Sequence, residues 1–302
     1  MISHPNTTYL VLPNAVNDTI DSRDSLVSSA WRVENIVLGV KFNLGTGTNT
    51  SDVGYNPFTK RFGFIRNNFG TVSEIAEADI VNSVTQPPII RTITLNGMFG
   101  DDSEGLSDVF PNLLEGGYEF WSCIENGGRT YGYNFQITES EMFSVSDISL
   151  TARRQLQFDQ NAADTNLAGE GIDYSIKGNE LLMVREGGQP TTTKKVYLAS
   201  RPTDRDTDYS YSDAEFNPSN PFDGENVTGD LSSCAFHEAT GHLLILSDTG
   251  NAVYQYDRSG TLISTLSLGG LLFQPEGICM HGDNLVIMGE TDECAYCIYV
   301  AP

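Results

Sequence analysis

The 302-residue sequence has no apolar run near the roughly 18 residues that a membrane-spanning helix needs. Basic residues are also scarce, since 17 Lys and Arg stand against 40 Asp and Glu and give a formal net charge of -23. Such an acidic surface repels nucleic acid and anionic membranes, so we expect neither as a partner. Residues 1–24 lack the basic start and apolar core of a secretory signal, and no export signal is expected there.

Cysteine is rare and odd in number, with five residues: Cys123, Cys234, Cys279, Cys294 and Cys297. An odd count without a signal peptide argues against a disulfide framework. The last two form a CxxC pair, but residues three apart in a strand point to opposite faces. Buried free thiols are therefore favoured over a zinc or redox site. A sustained 3.6-residue period is also missing, which argues against a mainly helical fold.

What recurs is a short apolar run that ends on an acidic or amide side chain. It occurs five times, at 61–67 (RFGFIRN), 118–125 (YEFWSCIE), 180–186 (ELLMVRE), 242–248 (HLLILSD) and 284–290 (NLVIMGE). Three of these runs follow a Glu-Gly pair that leads into an apolar strand, at Glu104-Gly105, Glu170-Gly171 and Glu276-Gly277. A repeat of roughly 50 residues built from short strands is typical of a β-propeller.

The fourth repeat shows the unit best, with predicted strands at 233–237, 242–247, 252–257 and 262–268 separated by turns. Short strands at this spacing form an antiparallel meander, which is the unit of a propeller blade. We therefore predict an all-β fold, a β-propeller of five blades with four antiparallel strands each. In the second repeat, 148–158 is predicted as one strand.

The fifth repeat stops after its third strand, and an unpaired edge there would be prone to association. The alternating segment 31–44 (WRVENIVLGVKFNL) has no other partner, so we predict that it supplies the missing strand and closes the last blade. Residues 1–29 then form an N-terminal extension and residues 30–302 the propeller. A polar insertion at 201–229 separates the third and fourth repeats.

Four segments also resemble a known family in the same order: SEGL (103–106), AGEGIDY (168–174), DLSSCAFHEATGHLLILSD (230–248) and QPEGICM (274–280). They are similar to the bacterial SdiA-regulated family, also called YjiK-like, over about residues 50–302. The resemblance implies a five-bladed propeller linked to calcium, and a kinship to calcium-dependent propeller phytases. Two features depart from the family. The chain's start lacks the usual membrane or export segment, and Ser51-Asp52 stands where other repeats have Glu-Gly.

The innermost strands of a propeller line a central channel, so equivalent repeat positions form rings around it. Glu104, Glu170 and Glu276 occupy one such position, and Ser232 and Ser51 complete the ring. Converging carboxylates need a compensating cation or base. Ca²⁺ accepts about six to eight oxygen ligands in irregular geometry, and it is the expected cofactor. The alternatives are water at the channel mouth, or glutamates that cap backbone amides.

A second ring follows the second strand of each repeat and could add ligands: Asn67, Glu125, Glu186, Asp248 and Glu290. The preferred interpretation is that each is a turn residue bonding its own loop. Arg66 and Arg185 lie beside members of this ring and are candidates to neutralise it.

The insertion spaces Asp204, Asp206, Asp208 and Glu215 like an EF-hand loop. Tyr209 replaces the required glycine and no helices flank the segment, so an acidic solvated loop is favoured.

Catalysis has little support. No Ser-His-Asp arrangement can be assembled, and His237, His242 and His281 are expected to be loop or core residues. We therefore expect a non-enzymatic binding or structural module, calcium-binding and part of a larger assembly such as a phage virion or tail. Its protein partners would contact the N-terminal extension. The alternative is a calcium-dependent phosphoesterase, for which the few basic residues are poorly suited. A third possibility, a periplasmic calcium-responsive protein, requires an upstream signal.

Overall fold

The computed structural model describes residues 31–43, 50–66, 70–82, 86–98, 103–113, 115–126, 129–159, 169–186, 195–201, 209–210, 215–216, 229–269, 272–289 and 295–300. Strands dominate these residues. Helical structure there is limited to a 3-10 turn at Val33–Asn35 and two short helices, α1 (Glu77–Val81) and α2 (Glu139–Met142). No helix in this described part is long and apolar enough to cross a membrane.

The described strands form five sheets. Sheet I contains β2 (Thr50–Asn56), β3 (Arg61–Arg66), β4 (Thr71–Ala76), β5 (Ile89–Asn96) and β10 (Ile148–Thr151). Sheet II contains β6 (Ser103–Leu106), β7 (Phe110–Pro111), β8 (Tyr118–Asn126), β9 (Arg129–Ile137), β11 (Arg154–Asp159) and β15 (Tyr209–Ser210). Sheet III contains β12 (Gly169–Ser175), β13 (Glu180–Arg185), β14 (Lys195–Ser200) and β16 (Glu215–Phe216). Sheet IV contains β17 (Ser233–His237), β18 (His242–Ser247), β19 (Ala252–Tyr256) and β20 (Leu262–Ser267). Sheet V contains β21 (Pro275–His281), β22 (Asn284–Gly289), β23 (Ala295–Val300) and β1 (Val37–Asn43).

The first strand of each sheet faces a common axis. These inner strands are β2, β6, β12, β17 and β21, and each packs against the next until β21 returns to β2. The arrangement confirms the predicted all-β propeller. The predicted strands of the fourth repeat are also confirmed, since β17 and β18 have the expected bounds and β19 and β20 end one residue earlier.

The hydrophobic core of the described residues is divided into five clusters, each between two neighbouring sheets. Middle strands are therefore covered on both faces. In β18, for example, Leu244 and Leu246 pack toward sheet V while Leu243 and Ile245 pack toward sheet III. This double burial explains why the repeats contain continuous apolar runs rather than an alternation of apolar and polar residues.

The N-terminal strand closes the last sheet as predicted. β1 pairs antiparallel with β23, with Val37 opposite Val300 and Asn43 opposite Ala295. The preceding residues do not continue the strand. They form the 3-10 turn, and Val33 and Ile36 are buried in the cluster between sheets IV and V.

Segment 148–158 departs from the prediction, because its two halves belong to different sheets. β10 pairs parallel with β5 in sheet I, whereas β11 pairs antiparallel with β9 in sheet II. The prediction of a single strand within the second repeat was therefore wrong. The insertion contributes two short strands as well: β15 pairs with β11 and β16 pairs with β14.

A buried ion pair anchors the start of this insertion. Arg201 follows β14 of sheet III, and its guanidinium lies 2.5 Å from Oε1 of Glu119 on β8 of sheet II. Both side chains are almost fully buried. Breaking such a pair leaves an uncompensated buried charge, so this contact fixes the chain where it leaves sheet III.

Candidate functional site

The starts of the inner strands meet at one end of the channel, which we call the upper end. A cavity of about 210 Å³ lies there, and we call it the upper cavity. Its lining among the described residues is Ser51, Glu104, Glu170, Glu186, Asp230, Leu231, Ser232, Asp248, Gln274 and Glu276. Six of these side chains are carboxylates, and no Lys, Arg or His belongs to this described lining.

Most of the predicted site residues therefore meet in one place. The first ring is complete, since Glu104, Glu170, Glu276, Ser232 and Ser51 all line the upper cavity. From the second ring, Glu186 and Asp248 reach the same cavity. For Glu125 the structure describes the backbone in β8 but not the side chain, while Asn67 and Glu290 lie outside the described residues. Binding of a metal by these residues stays a prediction.

Sequence reasoning missed Asp230 and Gln274. Each stands two residues before a member of the first ring, Ser232 or Glu276 respectively. Extending the repeat alignment by two residues toward the N-terminus would have included both positions among the candidates at the channel mouth. Gln274 adopts a φ of 45°, a conformation that is uncommon for residues other than glycine.

The Glu-Gly pairs have a steric reason. A Cβ at Gly171 would lie 2.6 Å from the Cα of Ser233, and a Cβ at Gly277 would lie 2.8 Å from the Cα of Asp52. Neighbouring inner strands thus touch backbone to backbone, and only glycine fits. Because each glutamate directly precedes such a contact, the close approach also brings the carboxylates together at the upper end.

Asp52, beside Ser51, ties the inner strands together below the upper cavity. Its Oδ1 accepts hydrogen bonds from the backbone N–H of Val53 (2.8 Å) and Ile278 (3.2 Å) and from the hydroxyl of Ser233 (2.9 Å). Its Oδ2 accepts one from the N–H of Leu106 (2.8 Å). One buried carboxylate therefore joins β2, β6, β17 and β21. Burial raises the pKa of Asp52 well above its usual range, although these hydrogen bonds lower it.

Two more carboxylates join inner strands near the lower end of the channel, where those strands finish. Asp108 accepts a hydrogen bond from the N–H of Tyr55 at 2.7 Å, and Asp173 accepts one from the N–H of Phe236 at 2.7 Å. An inner strand has no partner on its axial edge, and these side chains satisfy its amides. Burial raises the pKa of Asp108 well above its usual range and that of Asp173 to about 7.

The raised pKa of Asp173 predicts stability that falls as pH rises. A group whose pKa is higher in the folded state contributes stability that is fully present below its unfolded pKa. That contribution is lost as pH rises through its folded pKa. Between about pH 5 and 7, we expect the free energy of unfolding to fall by about 1 kcal/mol or more less in Asp173→Asn than in the wild type. Urea unfolding at several pH values measures it.

Glu141→Gln is the control for this pH series. Hydrogen bonds from the side chain and backbone of Thr138 lower the pKa of Glu141, so it stays ionised above pH 5 in both states. This variant should shift stability equally at every pH in the range. Parallel curves for the wild type and Asp173→Asn would contradict the role given to Asp173.

The upper cavity suits a hard cation in its donor chemistry, because its lining offers carboxylate, hydroxyl and amide oxygens. Ser51 is 3% exposed as a residue, and its hydroxyl has no hydrogen-bond partner among the described residues. However, no group of three or more described His, Cys, Asp or Glu side chains is placed so as to hold a metal ion. The donor types therefore fit calcium, although the described side chains do not form a ready-made coordination sphere.

Asp248, which lines the upper cavity, lies near a second carboxylate, Asp230. Burial raises the pKa of Asp248, and the nearby charge of Asp230 raises it further. A hydrogen bond from the N–H of Thr249 opposes this effect. A cation in the cavity would relieve such repulsion.

Other predicted features have limited structural support. Asp204, Asp206 and Asp208 of the EF-hand-like segment lie outside the described residues, and Glu215 contributes to β16. Cys294 of the CxxC pair also lies outside them. Cys297 lies in β23, where only the backbone is described. The three cysteines whose side chains are described, Cys123, Cys234 and Cys279, are free and buried, which confirms the expectation for these thiols.

Comparison with known families agrees with the propeller geometry. A model of the family described as SdiA-regulated matches residues 36–293. The chain belongs to the SdiA-regulated family. This assignment confirms the resemblance carried by the Glu-Gly and Asp-Leu-Ser segments, and it covers every described strand that lines the channel. No curated protein matches the chain in sequence.

Solved structures show the same fold at low sequence identity. Glutaminyl cyclase of Myxococcus xanthus is 11% identical, with a TM-score of 0.50, over 88% of this chain and 97% of that one. A PQQ-bound aldose sugar dehydrogenase of Streptomyces coelicolor is 9% identical, with a TM-score of 0.51, over 89% of this chain and 99% of that one. At these identities the likeness concerns the fold alone.

Proposed function

We propose that this member of the SdiA-regulated family is a non-enzymatic binding module that holds a cation, Ca²⁺, in its upper cavity. The observation that supports this proposal is the convergence of six carboxylates on one cavity without a basic side chain in the described lining. Glu104, Glu170 and Glu276 would supply the central ligands, with Glu186 and Asp248 beside them. Bound calcium would neutralise their charges and cross-link the starts of three inner strands.

The size of the upper cavity favours an ion that keeps part of its water. One water molecule needs only about 10–15 Å³ of such space, so about 210 Å³ accommodates an ion and several waters. Mixed coordination by carboxylates and water is common for Ca²⁺. It also agrees with the absence of a tight three-residue metal cluster in the described part of the chain.

We also propose that the protein belongs to a larger assembly, such as a phage virion or tail, and contacts its protein partners through residues 1–29. Trp31 follows this extension and lies at the lower end, where its Nε1 donates to the carbonyl of Asp283. The upper cavity is at the opposite end of the channel.

A calcium-dependent phosphoesterase is the alternative function. Phosphate binding in such enzymes needs cationic groups beside the metal ions. The described lining of the upper cavity contains none, so the binding module is preferred.

Calcium titration by calorimetry, with thermal unfolding, tests the proposal. We expect Ca²⁺ to bind and to raise the melting temperature of the wild type, and Glu170→Gln to weaken binding about tenfold or more. Glu139→Gln, on α2 at the lower end, is the matched control and should bind like the wild type. Absence of binding at millimolar Ca²⁺, or equal weakening in both variants, would contradict the proposal. Calcium-dependent phosphate-ester hydrolysis that a chelator abolishes would favour the enzyme.

A further inference from the structure

Residues 31–36, which we call the strap, cross the lower end of sheets IV and V just before β1. Val33 is fully buried and Ile36 nearly so, both within the cluster between these sheets. Trp31 stacks on the ring of His237, with centroids 3.8 Å apart and an angle of 13° between the rings. The strap therefore fixes the point from which β1 runs along β23.

The side chain of Gln255 on β19 holds the strap at both of its amide atoms. The N–H of Val33 donates to Oε1 at 3.1 Å, and Nε2 donates to the carbonyl of Trp31 at 3.2 Å. A backbone donor and a backbone acceptor thus fix the orientation of this fully buried amide. Ser264 adds a hydroxyl donor to Oε1 at 2.6 Å.

The second hydrogen of Nε2 faces His242 on β18. The distance from Nε2 of Gln255 to Nδ1 of His242 is 2.7 Å. An amide nitrogen only donates, so Nδ1 must be the unprotonated acceptor. Because the strap fixes the orientation of the Gln255 amide, it requires Nδ1 of His242 to be unprotonated.

We infer that protonation of His242 releases the strap and weakens the pairing of β1 with β23 that closes sheet V. A proton on Nδ1 would place two donors against each other, and the Gln255 amide would have to turn. After a turn, the N–H of Val33 would face the amide nitrogen and the carbonyl of Trp31 would face the amide oxygen. One proton thus removes the two hydrogen bonds that hold the strap backbone, and each buried group left unpaired is costly.

The charges around the strap support release in the acid range. Burial lowers the pKa of His242; Arg32 of the strap lowers it further, and Asp257 after β19 raises it. Burial also lowers the pKa of His237, while Asp283, whose Oδ1 is 3.5 Å from Nε2 of His237, raises it. Both imidazoles are therefore neutral at neutral pH, and the strap is bound. Below the usual imidazole pKa range, folding of the strap must expel these protons, and its stability falls.

Hydrogen exchange of the Val33 amide tests this inference in the full chain. After correction for the intrinsic exchange rate, we expect protection of this amide to fall about tenfold or more between pH 7.5 and 5.0. Amides of β18 serve as the internal reference and should stay protected, because the opening is local.

Three variants separate His242 from other titrating groups. His242→Asn keeps an acceptor that does not titrate, so protection of Val33 should become independent of pH. Gln255→Glu should reverse the trend, because a carboxylate accepts from both Val33 and a protonated His242. His281→Asn is the control, since His281 lies 3.4 Å from Glu77 rather than on the strap, and it should behave like the wild type. Protection independent of pH in the wild type, or a fall that persists in His242→Asn and disappears in His237→Asn, would overturn the inference.

Discussion

Replacement of Asp52 by alanine is expected to lower the free energy of unfolding by at least about 4 kcal/mol. The carboxylate accepts hydrogen bonds from three backbone N–H groups and one hydroxyl, which belong to four inner strands. A buried donor left unpaired costs about 1–3 kcal/mol, and water has little access to this fully buried site. Because a domain is stable by only about 5–15 kcal/mol, this loss would remove a large part of the stability of the fold. Urea unfolding followed by circular dichroism measures the change.

Asp257→Ala is the matched control for Asp52→Ala. The Asp257 carboxylate also accepts several hydrogen bonds, from the N–H and hydroxyl of Ser259 and the N–H of Thr261, but it lies in an exposed turn. Water can replace it there, so we expect a cost of about 1 kcal/mol or less. Similar losses for the two variants would show that Asp52 does not join the inner strands.

Replacement of Gly171 by alanine is expected to cost about 3 kcal/mol or more. The new methyl group would lie 2.6 Å from the Cα and 2.9 Å from the carbonyl carbon of Ser233. These are backbone atoms of a neighbouring inner strand and cannot move aside as a flexible side chain can. We expect β12 and β17 to separate, with lower thermal stability and faster hydrogen exchange in both strands.

Gly282→Ala separates steric crowding from the general effect of losing a glycine. Gly282 has a φ of 64°, but a Cβ there would meet no atom within 4 Å. Its replacement should cost only about 1 kcal/mol, from backbone strain. If Gly171→Ala were as mild as this control, close contact would not be the reason for the Glu-Gly pairs.

The sequence was sufficient to predict the fold and the convergence of the first ring. Each middle strand is an apolar run bounded by turn residues, so the bounds of β18 follow from composition alone. The repeat spacing then identified equivalent positions, and equivalent positions in a propeller must face one axis. This is why the sequence alone predicts that Glu104, Glu170 and Glu276 share one site, as the lining of the upper cavity shows.

Features that depend on one repeat differing from the others could not be predicted in this way. Asp52 was visible only as a departure from the Glu-Gly pattern, and its role depends on four strands that converge in space. Asp108 and Asp173 likewise have no counterparts in the other repeats. The segment that forms β10 and β11 could not be divided either, because its sequence does not show that the chain passes from one sheet to the next.

The pairing of Val37 with Val300 has a consequence for biosynthesis. At about 5–20 residues per second, a ribosome needs on the order of ten seconds or more to make the chain between β1 and β23. During this interval the nascent β1 segment has no partner, and non-local pairing of this kind is slow to form. Translation must therefore deliver the last strand before the first can dock. Chaperones that shield nascent segments would have their greatest effect during that delay.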